Sequence, residues 1–286
     1  MSQLRALVAE ELSLPVDPRV TAMAEAIAAK HVPASRAVLF YGSCLREREL
    51  DGLMLDFYLI VSDYRAAYRK RWLALANKLI PPNVFYFEQN GLAAKYAVLS
   101  EADFHRLNGP ETGNVSVWAR FAQPSRLVWA ADDLARERAV ESVSRAAPTL
   151  LAATGPKSGE APLELWRRAF SLTYSAELRA ERSGRAASVV DVEPERYERF
   201  TAPALAVAKT LRPHRSWAWR RVEGKGLNVL RLAKASATFA GGPDYIIWKI
   251  NRHAGTDFQL KPWQRRWPLL AAISLLPRLL RSGAVR

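Results

Sequence analysis

Apolar residues recur at three- and four-residue spacing over positions 3–12 and 18–31, which predicts two amphipathic helices at the start of the chain. The pattern then changes. AVLFY (37–41) is a compact apolar run that stops at Gly42-Ser43, and LMLDFYLIVSD (53–63) is a longer run rich in aliphatic and aromatic residues; both predict strands. A helical period returns over 65–79 and is ended by Pro81-Pro82. VFYFE (84–88) and KYAVLS (95–100) predict two more strands joined at the turn signal Gln89-Asn90-Gly91, and RLVWA (126–130) predicts another. From Asp132 to about 182 the pattern is helical, broken by a loop at 153–162. ASVVDVE (187–193) predicts a short strand, and 194–211 a further helix. The expected fold class is α+β: a mixed amino-terminal domain over 1–131, a helical domain over 132–240, and a basic amphipathic segment over 241–286.

Charge sharpens this division. The net charge is +14, and residues 201–286 hold 16 Lys and Arg against only Glu223, Asp244 and Asp257. The first 200 residues are almost balanced, so nearly all the excess lies in the last third. That asymmetry implies a polyanionic partner. Five of the nine tryptophans lie at 217, 219, 248, 263 and 267, and a short leucine-rich run (268–280) follows. Tryptophan beside arginine suits an interfacial anchor on acidic lipid. No apolar run reaches the roughly 18 residues that span a bilayer, and the start lacks the apolar core of a signal peptide. The expectation is a cytoplasmic protein held peripherally on the inner face of the membrane. The single cysteine, Cys44, excludes an intrachain disulfide and a cysteine-cluster zinc site, and is read as a small filler. His105, His214 and His253 show no metal-ligand spacing and are read as structural.

Candidate chemistry concentrates in residues 41–63. A strand runs into Gly42-Ser43, and a second strand carries Asp56 within an apolar run. Glycine allows the backbone to pass close to a triphosphate, and the serine hydroxyl and neighbouring amides can bind its phosphates. An aspartate on the adjacent strand can hold Mg²⁺, a hard cation that prefers oxygen ligands. Nucleotidyltransferases of the polymerase-β type use this arrangement, usually with two aspartates separated by one residue so that both face the same way. Here Tyr58 stands at the second position. Asp51 and Asp63 are the nearest other carboxylates, and alternation turns Asp63 to the opposite face.

From Tyr41 onward the chain resembles the mitochondrial-type CDP-diacylglycerol synthases, the translocator assembly and maintenance proteins. The motifs that carry the resemblance are Tyr41-Gly42-Ser43-Cys44, Leu55-Asp56-Phe57, Lys95-Tyr96-Ala97-Val98, Ala119 to Pro124, Tyr174 to Arg179, and Lys225-Gly226 as a helix start. They follow the family's order over about 38–240, while Cys44, Ala97 and Ala119 stand where the family has glycines and Gln123 where it has a lysine. The resemblance implies a nucleotidyltransferase core closed by a helical domain. The implied reaction is Mg²⁺-dependent attack of phosphatidic acid on the α-phosphorus of CTP, giving CDP-diacylglycerol and pyrophosphate. It assigns Asp56, Ser43 and Lys95 to catalysis, with Asp56 as the metal ligand. Gly42, Ser43, Tyr96 and Arg120 fall to nucleotide binding, and Tyr174 and Arg179 to the substrate phosphate. No stable nucleic-acid partner is expected on this reading. The alternatives are a nucleotidyltransferase that modifies RNA or protein, and an inactive nucleotidyltransferase fold serving as a binding module.

Overall fold

The computed structural model describes residues 2–45, 50, 52–177, 189–213, 215–238, 259 and 261–266. It is an α+β fold built on one mixed five-stranded sheet. In chain order the elements are α1 (Gln3–Ser13), α2 (Pro18–Ala29), β1 (Ser35–Tyr41), a single 3-10 turn (Ser43–Leu45), β2 (Met54–Val61), α3 (Tyr64–Ala67), α4 (Arg71–Leu79), β3 (Asn83–Gln89) and β4 (Leu92–Ser100). There follow α5 (Glu101–Asn108), α6 (Trp118–Phe121), β5 (Ser125–Ala130), α7 (Asp133–Ser144), α8 (Ala146–Thr154), α9 (Pro162–Ala176), α10 (Pro194–Ala208), α11 (Trp217–Thr238) and α12 (Pro262–Arg266).

The strand order is β3-β4-β2-β1-β5. β1 is antiparallel to both β2 and β5, β3 is antiparallel to β4, and β2 runs parallel to β4. β2 is therefore the central strand, covered on both faces, which is why its sequence reads as a near-continuous apolar run rather than an alternation. The two faces serve different cores. Leu39, Tyr58, Ile60, Ala97 and Leu99 face α1, α5, α6 and the carboxy-terminal helices, in a core that also holds Phe104, Phe121, Leu150, Trp166, Phe170 and Tyr197. Val38, Phe40, Phe57, Leu59, Tyr96 and Val98 face α2 and the α3–α4 region. The first core runs from Leu4 to Ala208, so helices from both sides of residue 131 cover the same sheet face.

All five strands appear where the apolar pattern puts them, and the Gln89-Asn90-Gly91 turn joins β3 to β4. Three expectations are corrected. The helix expected over 65–79 is two: Tyr68 is extended (φ −124°, ψ 128°) between α3 and α4, because its buried ring turns inward and its hydroxyl donates to Asn77 Oδ1 at 2.9 Å. Instead of a strand over 187–193, Val189 to Asp191 are helical; the two valines are buried in the helical core, where packing outweighs the β-propensity of branched residues. Lys225-Gly226 lies inside α11 rather than at a helix start. The neighbouring Gly224 meets the end of α9 so closely that a Cβ would lie 2.2 Å from the Ala176 carbonyl oxygen, so only glycine lets α11 approach there.

Asn77 fastens α4 to the sheet. It is wholly buried; its Oδ1 also accepts from the Asn83 backbone N–H at 2.8 Å, and its Nδ2 donates to the Val98 carbonyl at 3.0 Å. Asn77→Ala strands three buried polar groups at once and is expected to cost about 2 to 4 kcal/mol of stability, measured by urea denaturation. A loss under about 0.5 kcal/mol would show that these bonds do not hold the helix.

Candidate functional site

The site lies at the end of the sheet where β1 stops and β2 begins. Register aligns Tyr41 with Asp56 and Asp56 with Lys95, so these three side chains stand side by side on one face. Lys95 Nζ is 3.0 Å from Asp56 Oδ1, and that oxygen is buried without a directed hydrogen bond. The Gly42 backbone passes directly over the carboxylate: with φ +96°, it occupies the region L side chains avoid, and a Cβ there would lie 3.2 Å from Asp56 Oδ2. The positive φ favours glycine, and a Cβ would in addition crowd the carboxylate by a few tenths of an ångström. Ser43 opens the 3-10 turn and is exposed beside it, and Cys44 is buried with its Sγ 3.4 Å from the Met54 carbonyl.

Arg120 reaches the same region from α6. Its Nη1 donates to the Ser116 carbonyl and lies 3.3 Å from Glu177 Oε1. Glu177 is buried, and Arg120 is partly so. Burial disfavours the Arg120 charge, but Glu177, with Tyr58, Tyr41 and Asp56, outweighs it and holds the guanidinium firmly protonated. The Tyr41 and Tyr58 rings pack 5.2 Å apart and each contacts Phe121. Burial raises both phenols, so each stays a neutral hydroxyl.

Two cations arrive from α11, a helix in which no site residue was predicted. Arg231 Nε donates to the Pro81 carbonyl at 2.8 Å and its Nη1 to Ser116 Oγ at 2.7 Å. Arg120 and Arg231 thus grip the same residue, one through its carbonyl and one through its hydroxyl. Lys234 donates to the carbonyls of Ile80 and, at 2.8 Å, Pro82. Burial, then the Arg231 charge, pushes the Lys234 ammonium down to about 7. Of the charged side chains just named, Lys95, Arg120 and Arg231 are cationic, Lys234 is about half-protonated near neutral pH, and Asp56 and Glu177 are anionic. A partly buried group with that excess favours an anionic ligand.

The residues singled out from sequence divide accordingly. Gly42, Ser43, Asp56, Lys95 and Arg120 come together. Tyr96 does not: it faces the other core, where its hydroxyl is 3.2 Å from His31 Nε2 and its ring packs on Phe85. His31 Nδ1 donates to the Ala67 carbonyl at 3.0 Å, which leaves Nε2 to accept from Tyr96. Tyr174 lies in α9, packed against the first core, and Arg179 is outside the described residues. Asp63 caps α3, accepting from the Arg65 and Ala66 amides at 2.7 and 3.3 Å. Glu177 carried a visible signal, since it lies in the segment 174–179 that supports the family resemblance. Arg231 and Lys234 carried none beyond the basic character of the region.

No family profile and no curated protein matches the chain. Among solved structures, a nucleotidyltransferase-like protein from Exiguobacterium sibiricum 255-15 aligns over 92% of this chain and 92% of its own, at 10% identity and a TM-score of 0.29. At that identity and score the likeness says nothing about function. No helix among the described residues is long and apolar enough to cross a membrane.

Lys234 makes the site's electrostatics measurable. Its folded value near 7 lies below the 10.5 of an unperturbed lysine, so between those values the unfolded chain holds a proton that the folded chain lacks. The resulting opposition to folding is full below about 7 and fades as pH rises towards 10.5. The stability of the unmodified chain relative to Lys234→Met is expected to rise from about pH 7 to about pH 9, followed by urea denaturation at each pH. A difference that stays flat over that range would place the Lys234 amine in contact with water.

Proposed function

We propose that this chain is a nucleotidyltransferase, and that it transfers the cytidylyl group of CTP to phosphatidic acid, releasing pyrophosphate. The observation that carries the reading is the approach of the Gly42 backbone to Asp56, beside Lys95 and Arg120. A glycine turn against a strand carboxylate suits a triphosphate, and the surrounding cations suit its charge. The finer assignment, CTP and phosphatidic acid, rests on the resemblance to the mitochondrial-type CDP-diacylglycerol synthases.

Asp56 fits a Mg²⁺ ligand: its oxygens are hard, one is buried without a directed hydrogen bond, and Mg²⁺ is commonly held by one or two carboxylates plus substrate phosphates. When bound there, the ion would neutralise charge on the triphosphate. Ser43 and the backbone amides of its turn would hold the phosphates, and Lys95 and Arg120 would orient them for in-line displacement. The attacking phosphate monoester is already anionic near neutral pH, so the protein's work is positioning and charge stabilisation more than proton removal. The basic segment 241–286 would bring the site to acidic lipid; apart from isolated positions and α12 it lies outside the described residues.

One observation favours a second reading, a non-catalytic binding module. Tyr58, at the place of a second carboxylate, is buried among Tyr41, Phe104 and Phe121. The experiment that separates the two is incubation of the full chain with phosphatidic acid, Mg²⁺ and each of the four nucleoside triphosphates, with detection of pyrophosphate and nucleotide-diacylglycerol. CTP is expected to give CDP-diacylglycerol, and Asp56→Asn to lower turnover about 100-fold or more while leaving the unfolding midpoint near that of the unmodified chain. Ser43→Ala should raise the KM for CTP more than it lowers kcat. No product with any triphosphate would favour the binding module, and undiminished turnover by a folded Asp56→Asn chain would remove Asp56 from the site.

A further inference from the structure

Among the described residues, helix α4 has one buried face and one largely exposed face. Ala74 and Asn77 are buried against the sheet, with Asn77 bonded at both ends of its amide. On the opposite side Trp72, Leu75 and Leu79 follow at three- and four-residue spacing, which places them in one narrow arc of the helix. They are 48%, 58% and 69% exposed. Neighbouring apolar side chains left together in water mark an interaction surface, whereas a single exposed leucine would not.

The charges around this arc are one-sided. Residues 64–87 contain Arg65, Arg69, Lys70, Arg71 and Lys78 and no acidic residue, and all five cations are exposed. Arg71 and Lys78 flank the apolar arc on one side, and Arg69 and Lys70 stand at the helix entrance. Nucleic acid would reward the cations but leave the leucines in water. A second copy of this chain would have to bring one strongly basic face against another. An acidic bilayer satisfies both halves of the pattern: the tryptophan and leucines enter the acyl boundary while the cations meet lipid phosphates.

We propose that α4 is a docking surface for an acidic lipid bilayer, acting in addition to the carboxy-terminal segment. The carbonyls that follow α4 tie this surface to the basic site. Ile80 and Pro82 accept from Lys234, and Pro81 accepts from Arg231, which also holds the Ser116 side chain. A bilayer on α4 therefore lies next to a chain of hydrogen bonds that reaches Arg120 through Ser116. The docking does not depend on the proposed transfer reaction, because it is read without nucleotide.

The test uses the full chain and sedimentation with vesicles of phosphatidylcholine, either alone or with about one-third phosphatidylglycerol. Binding is expected only to the acidic vesicles and should weaken as salt rises, since exposed charges are screened over about 10 Å at 0.1 M. Combined Trp72→Gln, Leu75→Gln and Leu79→Gln is expected to lower affinity at least about tenfold while shifting the unfolding midpoint little, because about half or more of each side chain lies in water. Should the triple variant fail to fold, Leu75→Gln alone is expected to lower affinity about threefold. A direct readout of the face comes from Leu79→Cys carrying an environment-sensitive fluorophore, since the chain's own Cys44 is buried. Its emission should shift to the blue on acidic vesicles, whatever the carboxy-terminal segment contributes. Unchanged vesicle binding by the triple variant, or no emission shift at position 79, overturns the proposal. So would a triple variant whose vesicle binding is intact but whose assembly mass or RNA affinity has changed, because the face would then belong to another partner.

Discussion

A carboxylate on the central strand of an apolar sheet must be compensated, and the compensation of Asp56 organises the region around it. Asp56 enters near the start of β2, where the strand is still within reach of β1's end and of the long side chains of β4. The parallel pairing of β2 with β4 brings Lys95 alongside; the antiparallel pairing with β1 brings Tyr41 and then the Gly42 turn. With the carboxylate held from the β4 side, its other oxygen faces the Gly42 backbone, whose positive φ favours glycine and where a Cβ would be crowded. Moving Asp56 two residues later along β2 would put it where Tyr58 stands, beneath three aromatic rings, and its charge would have no such outlet.

The legible part of this arrangement is what one strand and its turn can encode. Apolar runs located all five strands, because a sheet covered on both faces writes its burial into consecutive residues. Gly42, Ser43 and Asp56 were legible for a related reason: turn, strand and carboxylate are local, and their spacing along the chain reflects their spacing in the hairpin. Asp63 was likewise assigned to the opposite face by alternation, and it turns away to cap the next helix.

What the sequence left hidden is long-range. Tyr96 follows Lys95 in a short motif, yet adjacent strand residues point to opposite faces, so the pair is divided between two cores and Tyr96 meets His31, 65 residues away. Arg231 and Lys234 looked like members of a generally basic region, and nothing local distinguishes them from solvated cations on the same helix. Their placement depends on Gly224 admitting α11 against α9, and on the carbonyls of 80–82 pointing outward to receive them. The division at Tyr68 was hidden for the same reason, since its cause is an amide on the following helix that is itself fixed by β3 and β4.

The tyrosine at the second carboxylate position bears on how a single-aspartate site would manage a polyanion. Two strand carboxylates concentrate negative charge and call for more than one metal ion to balance a triphosphate. Replacing one by a buried neutral phenol lowers that demand, and fixed cations supply part of what remains. Arg120, anchored by Glu177, and Arg231, anchored by Ser116 and Pro81, are already oriented before any ligand arrives. Orienting them is accomplished in folding, so on the proposed reading little reorganisation would be needed as charge develops on a bound phosphate. On the proposed reading, Glu177 is then as much a part of the anion site as the arginine it holds, because its charge is the largest influence opposing the burial that disfavours the Arg120 guanidinium. On that reading Glu177, from outside the sheet, engages Arg120, while among the described residues Lys95 alone is ion-paired to Asp56.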